Sequence, residues 1–245
     1  MGHLRRLRRP RDDNPGQNAI MEVENPASVS CEICHTRKEK RFCPAVHGRI
    51  CSTCCGTERE VTLDCPLDCP YLQQAHRNEK LRTVEEVGRE ALMTEVEIPE
   101  QFVYDREPLI LGLGYTIAQA AHADRSLQDR EAIAALTALA KGLQTRVESG
   151  LVYEERSASL PQQALVDQLR KMLDQYREVE VKNQGYSSLR DSDALQAVVF
   201  LMRLGLMHTN GRPKSRAFLD FLLRQFPEQK SAIAAPGEAR QIVMP

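Results

Sequence analysis

Tryptophan is absent from this sequence, and aromatic residues make up only 5% of it. Any core must therefore be built mostly from Leu, Val, Ile and Ala. No charge of one sign prevails. The formal net charge is −1, which gives no global reason to expect a nucleic-acid or membrane surface as partner. No apolar run approaches the ~18 to 20 residues that a membrane span needs. The opening stretch carries Arg5, Arg6, Arg8, Arg9 and Arg11 with no apolar segment behind them, so it does not read as a secretory signal. The expected compartment is reducing and cytoplasmic, where clustered thiols favour metal over disulfides. Enzyme signatures are missing too: there is no HExxH, no GxSxG and no P-loop. Gly112-Leu-Gly114 lacks the third glycine of a dinucleotide loop, since Ile117 stands there. It reads instead as a close approach between helices or a bend.

What the sequence does hold is cysteine. The chain of 245 residues has eight, and five of them fall within the stretch CSTCCGTEREVTLDCPLDC. The candidate ligands form four pairs. These are Cys31 with Cys34, Cys43 with His47, Cys51 with Cys54 (Cys55 adjoining), and Cys65 with Cys69. Gaps of two or three residues let a tight turn aim both side chains at one ion, and zinc accepts thiolate and imidazole in a closed tetrahedron.

Two zinc ions need eight ligands. Seven cysteines and His47 supply them, leaving one of Cys54 and Cys55 over. Neighbouring residues point in different directions, so the spare thiol is either packed and inert or the two split between sites. In a cross-brace, Cys31, Cys34, Cys51 and Cys54 (or Cys55) hold one ion, while Cys43, His47, Cys65 and Cys69 hold the other. The single-ion alternative is a zinc ribbon or treble clef using Cys31, Cys34, Cys51 and Cys54 alone. An iron–sulfur cluster is the alternative metal group. His35 follows Cys34 directly and is expected to point away. His76 reads as a solvated residue on a helix begun by Asp68 and Pro70, with a reserve role as ligand.

The alternating pairs and the Cys51-Ser-Thr-Cys54 spacing resemble the HIT-type zinc finger and, more loosely, other cross-brace fingers such as the B-box. The string ICSTCCGTERE…CPLDCPYL also resembles a cysteine-rich segment of uncharacterised bacterial proteins. The resemblance covers about residues 31–76. It departs from the HIT pattern at His47, which replaces a cysteine at a wider gap, and at Cys65 and Cys69, which replace a histidine-containing ending. It implies a structural zinc module used for protein contacts and occasionally for nucleic acid.

Composition divides the chain. Residues 1–30 read as a disordered polar tail, within which Met21 is an alternative start. Residues 31–80 form the zinc-binding module and 81–104 an acidic connector. Residues 105–227 carry helical periodicity, and 228–245 form a loose tail. In the helical part, a helix is expected over Pro108–His122. Ser126 is expected to cap a second one bearing Ile133, Leu136, Leu139, Leu143 and Val147, closed by Gly150. Ser159 and Pro161 open a third, with Leu165, Leu169, Met172, Leu173 and Tyr176 on one face. Asp191 opens a fourth with Leu195, Val198, Val199, Met202 and Leu206. Phe218, Phe221, Leu222 and Phe226 mark a short fifth. The fold class is thus mainly α: a small zinc-stapled N-terminal module, cross-brace or treble clef, followed by an all-α domain of about five helices.

Function follows from ligand surplus. A catalytic zinc keeps a coordination position open, whereas these thiols outnumber what one ion needs, so the chain reads as non-enzymatic. Residues 31–80 carry eight basic and seven acidic side chains. With two ions and seven thiolates the module falls to about −2, a poor phosphate binder. The run Arg37-Lys38-Glu39-Lys40-Arg41 keeps a nucleic-acid regulator as the alternative; its bland reading is a loop that offsets thiolate charge. The favoured reading is an adaptor with a protein partner. Metal-dependent catalysis comes last.

Overall fold

The computed structural model describes residues 30–152 and 159–226, and among these a knuckle, a hairpin and a helix come first. The tails expected at both ends, Met21 among them, lie outside the described residues save for Ser30. At Cys31-Glu-Ile-Cys34 the backbone doubles back. The His35 N–H donates to the Cys31 carbonyl at 2.7 Å and the Cys31 N–H to the Arg37 carbonyl at 2.8 Å. Strands β1 (Arg41–Cys43) and β2 (Gly48–Ile50) pair antiparallel, with Phe42 opposite Arg49. Alternation buries Cys43 and Ile50 and leaves Phe42 and Arg49 exposed, as a sheet with one wet face requires. Helix α1 (Ser52–Glu58) follows at once, and Cys51 is its N-cap. Helix α2 (Pro70–Asn78) starts behind Cys69, with Pro70 in the first turn where its missing N–H costs nothing.

The core of this module is small. Cys31, Cys43, Ile50, Cys51, Cys54 and Cys55 are buried together, with Ile33, Leu63 and Tyr71 packed against them. A segment this short with so few large apolar side chains needs a cross-link to stay folded.

The connector contains α3 (Val84–Val87) and α4 (Glu100–Asp105). Arg203 ties it down by donating to the carbonyls of Leu92, Met93 and Val96, each at 2.7 Å. Five longer helices follow: α5 (Glu107–Ala123), α6 (Asp129–Ser149), α7 (Leu160–Gln184), α8 (Asp191–His208) and α9 (Ala217–Gln225). They enclose one apolar core, to which Leu113, Leu136, Leu169, Met202 and Phe218 contribute from the five in turn. The expected faces recur at Leu165, Leu169 and Leu173, and at Leu195, Val198, Val199 and Met202. Gly150 ends α6 at φ 71°, a left-handed cap. On α6, Val147 is exposed and Ala132, Ala135 and Ala140 are buried in addition to the leucines. None of the helices among the described residues is long and apolar enough to cross a membrane.

The start of α6 differs from expectation. Its N-cap is Gln128, whose N–H donates to the Glu131 carboxylate at 2.7 Å. Ser126 turns back on Asp124 instead, its N–H 2.8 Å from Asp124 Oδ1. Asp129 serves another helix. Its buried carboxylate accepts from the N–H groups of Phe218 and Leu219 and from the Ser215 hydroxyl, at 3.2, 3.1 and 2.6 Å. The α9 N-terminus, which no N-cap side chain of its own satisfies, is thus capped from α6.

Close approach explains two helical glycines. A Cβ on Gly114 would lie 3.1 Å from the Phe226 ring. One on Gly205 would meet Ile133 Cγ1 at 3.0 Å and the fully buried Phe218 ring at 3.1 Å. Gly205→Val is therefore expected to destabilise the helical domain by about 1 to 3 kcal/mol through overpacking, read as a lower urea midpoint at unchanged slope.

Candidate metal centre

Local backbone geometry assembles the first group of ligands. The knuckle presents Cys31 and Cys34. The α1 N-terminus presents Cys51 from the N-cap and Cys54 one turn on. The four sulfurs lie within 4.8 Å of one another, the only such group among the described residues. A tetrahedral thiolate site with metal–sulfur bonds of about 2.3 Å has sulfur–sulfur edges of ~3.8 Å, so a small inward rotation closes this set on an ion. The donor chemistry fits as well: four thiols, three of them buried. Of the two adjacent cysteines, Cys54 belongs to this group.

Hydrogen bonds prepare these sulfurs unequally. The Thr36 hydroxyl, then the Thr36 and Arg37 backbone, hold the Cys34 thiol down at about 5. His35 sits at φ 53°, and this turn brings those donors back onto Cys34. The Cys54 N–H, 3.4 Å from Cys51 Sγ, lowers the Cys51 thiol. Burial, with Cys51, Cys34 and Cys31 around it, pushes Cys54 up to about 12. A cation exchanged for the Cys54 proton would relieve that crowding. Arg37 points its guanidinium at Cys51, so part of the basic run offsets thiolate charge.

The remaining candidates lie on the other side of α1. Cys43, Cys55, Cys65 and Cys69 line one cavity of about 10 Å³. Burial, opposed by the Glu60 backbone and joined by the charges of Cys43, Glu60 and Cys69, pushes the Cys65 thiol up to about 11. His47 is exposed on the β1–β2 turn at φ 52° and is not among the residues lining that cavity. His35 is exposed, as expected.

His76 departs from expectation. It is not solvated but buried, held between two carboxylates. Its Nε2 lies 3.1 Å from Glu60 and its Nδ1 3.0 Å from Asp220. Glu60 is 1% exposed and itself left-handed at φ 52°. Its carboxylate also accepts from the Arg216 N–H at 2.8 Å and the Asn210 amide at 2.7 Å, and its carbonyl from the Lys214 N–H at 2.8 Å. Arg212 donates to the carbonyls of Gly56 and Arg59. The turn between α8 and α9 thus grips the module through a buried polar latch. Only long-range partners reveal it, which is why helical periodicity alone places His76 in solvent.

Burial alone would depress the His76 imidazolium, but Asp220 and Glu60 outweigh it and push the group up to about 9. A raised histidine stabilises the fold fully below its unfolded value near 6.5 and loses that contribution as pH climbs through about 9. Unfolding free energy of the metal-loaded protein should therefore fall by an amount on the order of 3 kcal/mol between pH 6.5 and 9.5. Denaturant titrations at each pH measure it, and His76→Gln should flatten the profile over that window. No family model, curated protein or solved structure matches this chain.

Proposed function

We propose that this chain is a non-enzymatic zinc protein of the reducing, cytoplasmic compartment, in which a metal-stapled module and a helical domain together act as an adaptor between protein partners. The convergence of Cys31, Cys34, Cys51 and Cys54 carries the reading. Four thiolates complete a zinc tetrahedron and leave no position for water or substrate. Softness favours zinc, with tetrathiolate iron the competing metal. The reading includes a second ion in the same module. The side chains the module and connector offer to a partner include Phe42 on the hairpin, 54% exposed, and Tyr104 on α4, 68% exposed. Arg37 and Arg41, half of the basic run, are turned onto cysteine sulfurs, which weakens the nucleic-acid alternative.

Cross-linking of the full chain in its host extract, followed by mass spectrometry, tests the adaptor role. The expected result is a protein partner captured by the wild type and lost in Tyr104→Asp at unchanged zinc content. A nucleic-acid species captured instead, with a salt-sensitive gel shift by the purified chain, would replace this reading with the regulator.

A further inference from the structure

The geometry points to a second thiolate metal site formed by Cys43, Cys55, Cys65 and Cys69, in which Cys55 takes the place that spacing assigns to His47. This rests on the reading of the first group as a zinc site and extends it to the rest of the module.

Helical geometry separates Cys54 from Cys55. Successive residues on an α-helix are turned by about 100°, so one helix start offers Cys54 to the knuckle and Cys55 to a different side. There Cys43, at the end of β1, and Cys69, at the α2 N-cap, converge with Cys65 on the same cavity. The cavity holds about one water-sized sphere, and Ile50, Leu63 and Leu72 supply apolar wall. Water there would find sulfur and hydrocarbon where it needs strong hydrogen-bond partners. A thiophilic cation finds its ligands.

The surroundings supply the outer donors that such sites use. Arg41 Nη1 and Arg59 Nη2 both lie 3.7 Å from Cys55 Sγ, and Arg41 is held in place over the Tyr71 ring at 4.1 Å. Donors of this kind orient thiolates and offset their charge. Cys43, Cys55, Cys65 and Cys69 line that one cavity together. This group is wider than the first, so binding must draw the sulfurs inward about their side-chain torsions. Each thiol gives up its proton to solvent as the cation binds, with no change of oxidation state. Four sulfur ligands around a cavity of this size fit zinc first. The adjacency of Cys54 and Cys55 is then explained by two sites sharing one helix turn.

Native mass spectrometry of the full chain, purified under reducing conditions, counts the metal, and X-ray absorption at the zinc edge reads the ligands. The expected result is two zinc ions per chain, an all-sulfur shell, one ion lost in Cys55→Ser and two retained in His47→Ala. Absorption on the unmutated protein keeps the test valid even where Cys55→Ser fails to fold. Two ions with a nitrogen ligand, or loss of one ion in His47→Ala, would overturn the Cys55 assignment. One ion, lost in Cys54→Ser but kept in Cys55→Ser, would overturn the second site and leave the first intact. No metal at all would sink both readings. Two iron atoms in all-sulfur shells would keep the ligand set and overturn the zinc assignment.

Discussion

Removing metal with a strong chelator should unfold residues 31–76 and leave the helical domain standing. The two regions have separate apolar cores, one of six buried residues dominated by cysteine and one running through all five long helices. Structural zinc contributes roughly 10 to 16 kcal/mol of apparent binding free energy in finger peptides, more than the small module core can replace. The helical signal should drop only by α1, with 7 residues, and α2, with 9. Amide exchange should rise across the module while amides facing Leu136, Leu169 and Met202 stay protected. The helical domain will not be untouched, because the α8–α9 turn loses the partners of Asn210, Arg212 and Lys214. Its melting point should fall modestly. Loss of all helix in one cooperative step would show that the two cores fold as one.

The second large effect belongs to His76. Its side chain and that of Glu60 are each 1% exposed. His76→Ala would leave the Glu60 and Asp220 carboxylates buried, facing a cavity with no cation between them. Removing one partner from such a buried ionic cluster costs about 3 to 5 kcal/mol. Urea denaturation of the metal-loaded protein measures it. A change below about 1 kcal/mol would mean that water reaches the latch and that the module is only loosely held. Replacing His76 and Asp220 by apolar residues of similar volume, together with Glu60→Gln, which keeps an acceptor for the Arg216 N–H and the Asn210 amide, should cost less, because no charge is left stranded. That contrast separates the penalty of an orphaned charge from a net contribution of the latch.

The readable parts of this sequence were those whose cause is local. A Cys-x2-Cys pair specifies its own turn, so spacing groups Cys31, Cys34 and Cys51 with Cys54 or Cys55, and only the fold selects Cys54. Leu165, Leu169 and Leu173 mark a face because helical repeat alone places them there. Gly150 and Gly185 end helices for equally local reasons, both in left-handed conformations. What stayed hidden depends on partners distant in the chain. His76 lies 16 residues from Glu60 and 144 from Asp220, and neither separation has a period that a sequence displays. Ser126 has a good capping-box signature, yet the helix starts behind Gln128 because Asp129 is pulled toward α9. Spacing likewise pairs Cys43 with His47, because a Cys-x3-His gap looks like a ligand pair. The hairpin leaves His47 on its exposed turn.

The Asp129 carboxylate has one more consequence, for the order of events during synthesis. The α9 backbone amides that it receives belong to residues 89 and 90 positions further along the chain. A nine-residue helix is marginal by itself in water, and the N-cap residue of this one, Arg216, makes no side-chain cap bond. It can be nucleated only on a surface where α6 already stands in place. The ribosome releases α6 long before α9, so the acceptor waits for its helix. Helix α9 should therefore form after α6 stands in place, closing the core over Gly114 and Gly205 and delivering Asp220 to His76 in the same motion.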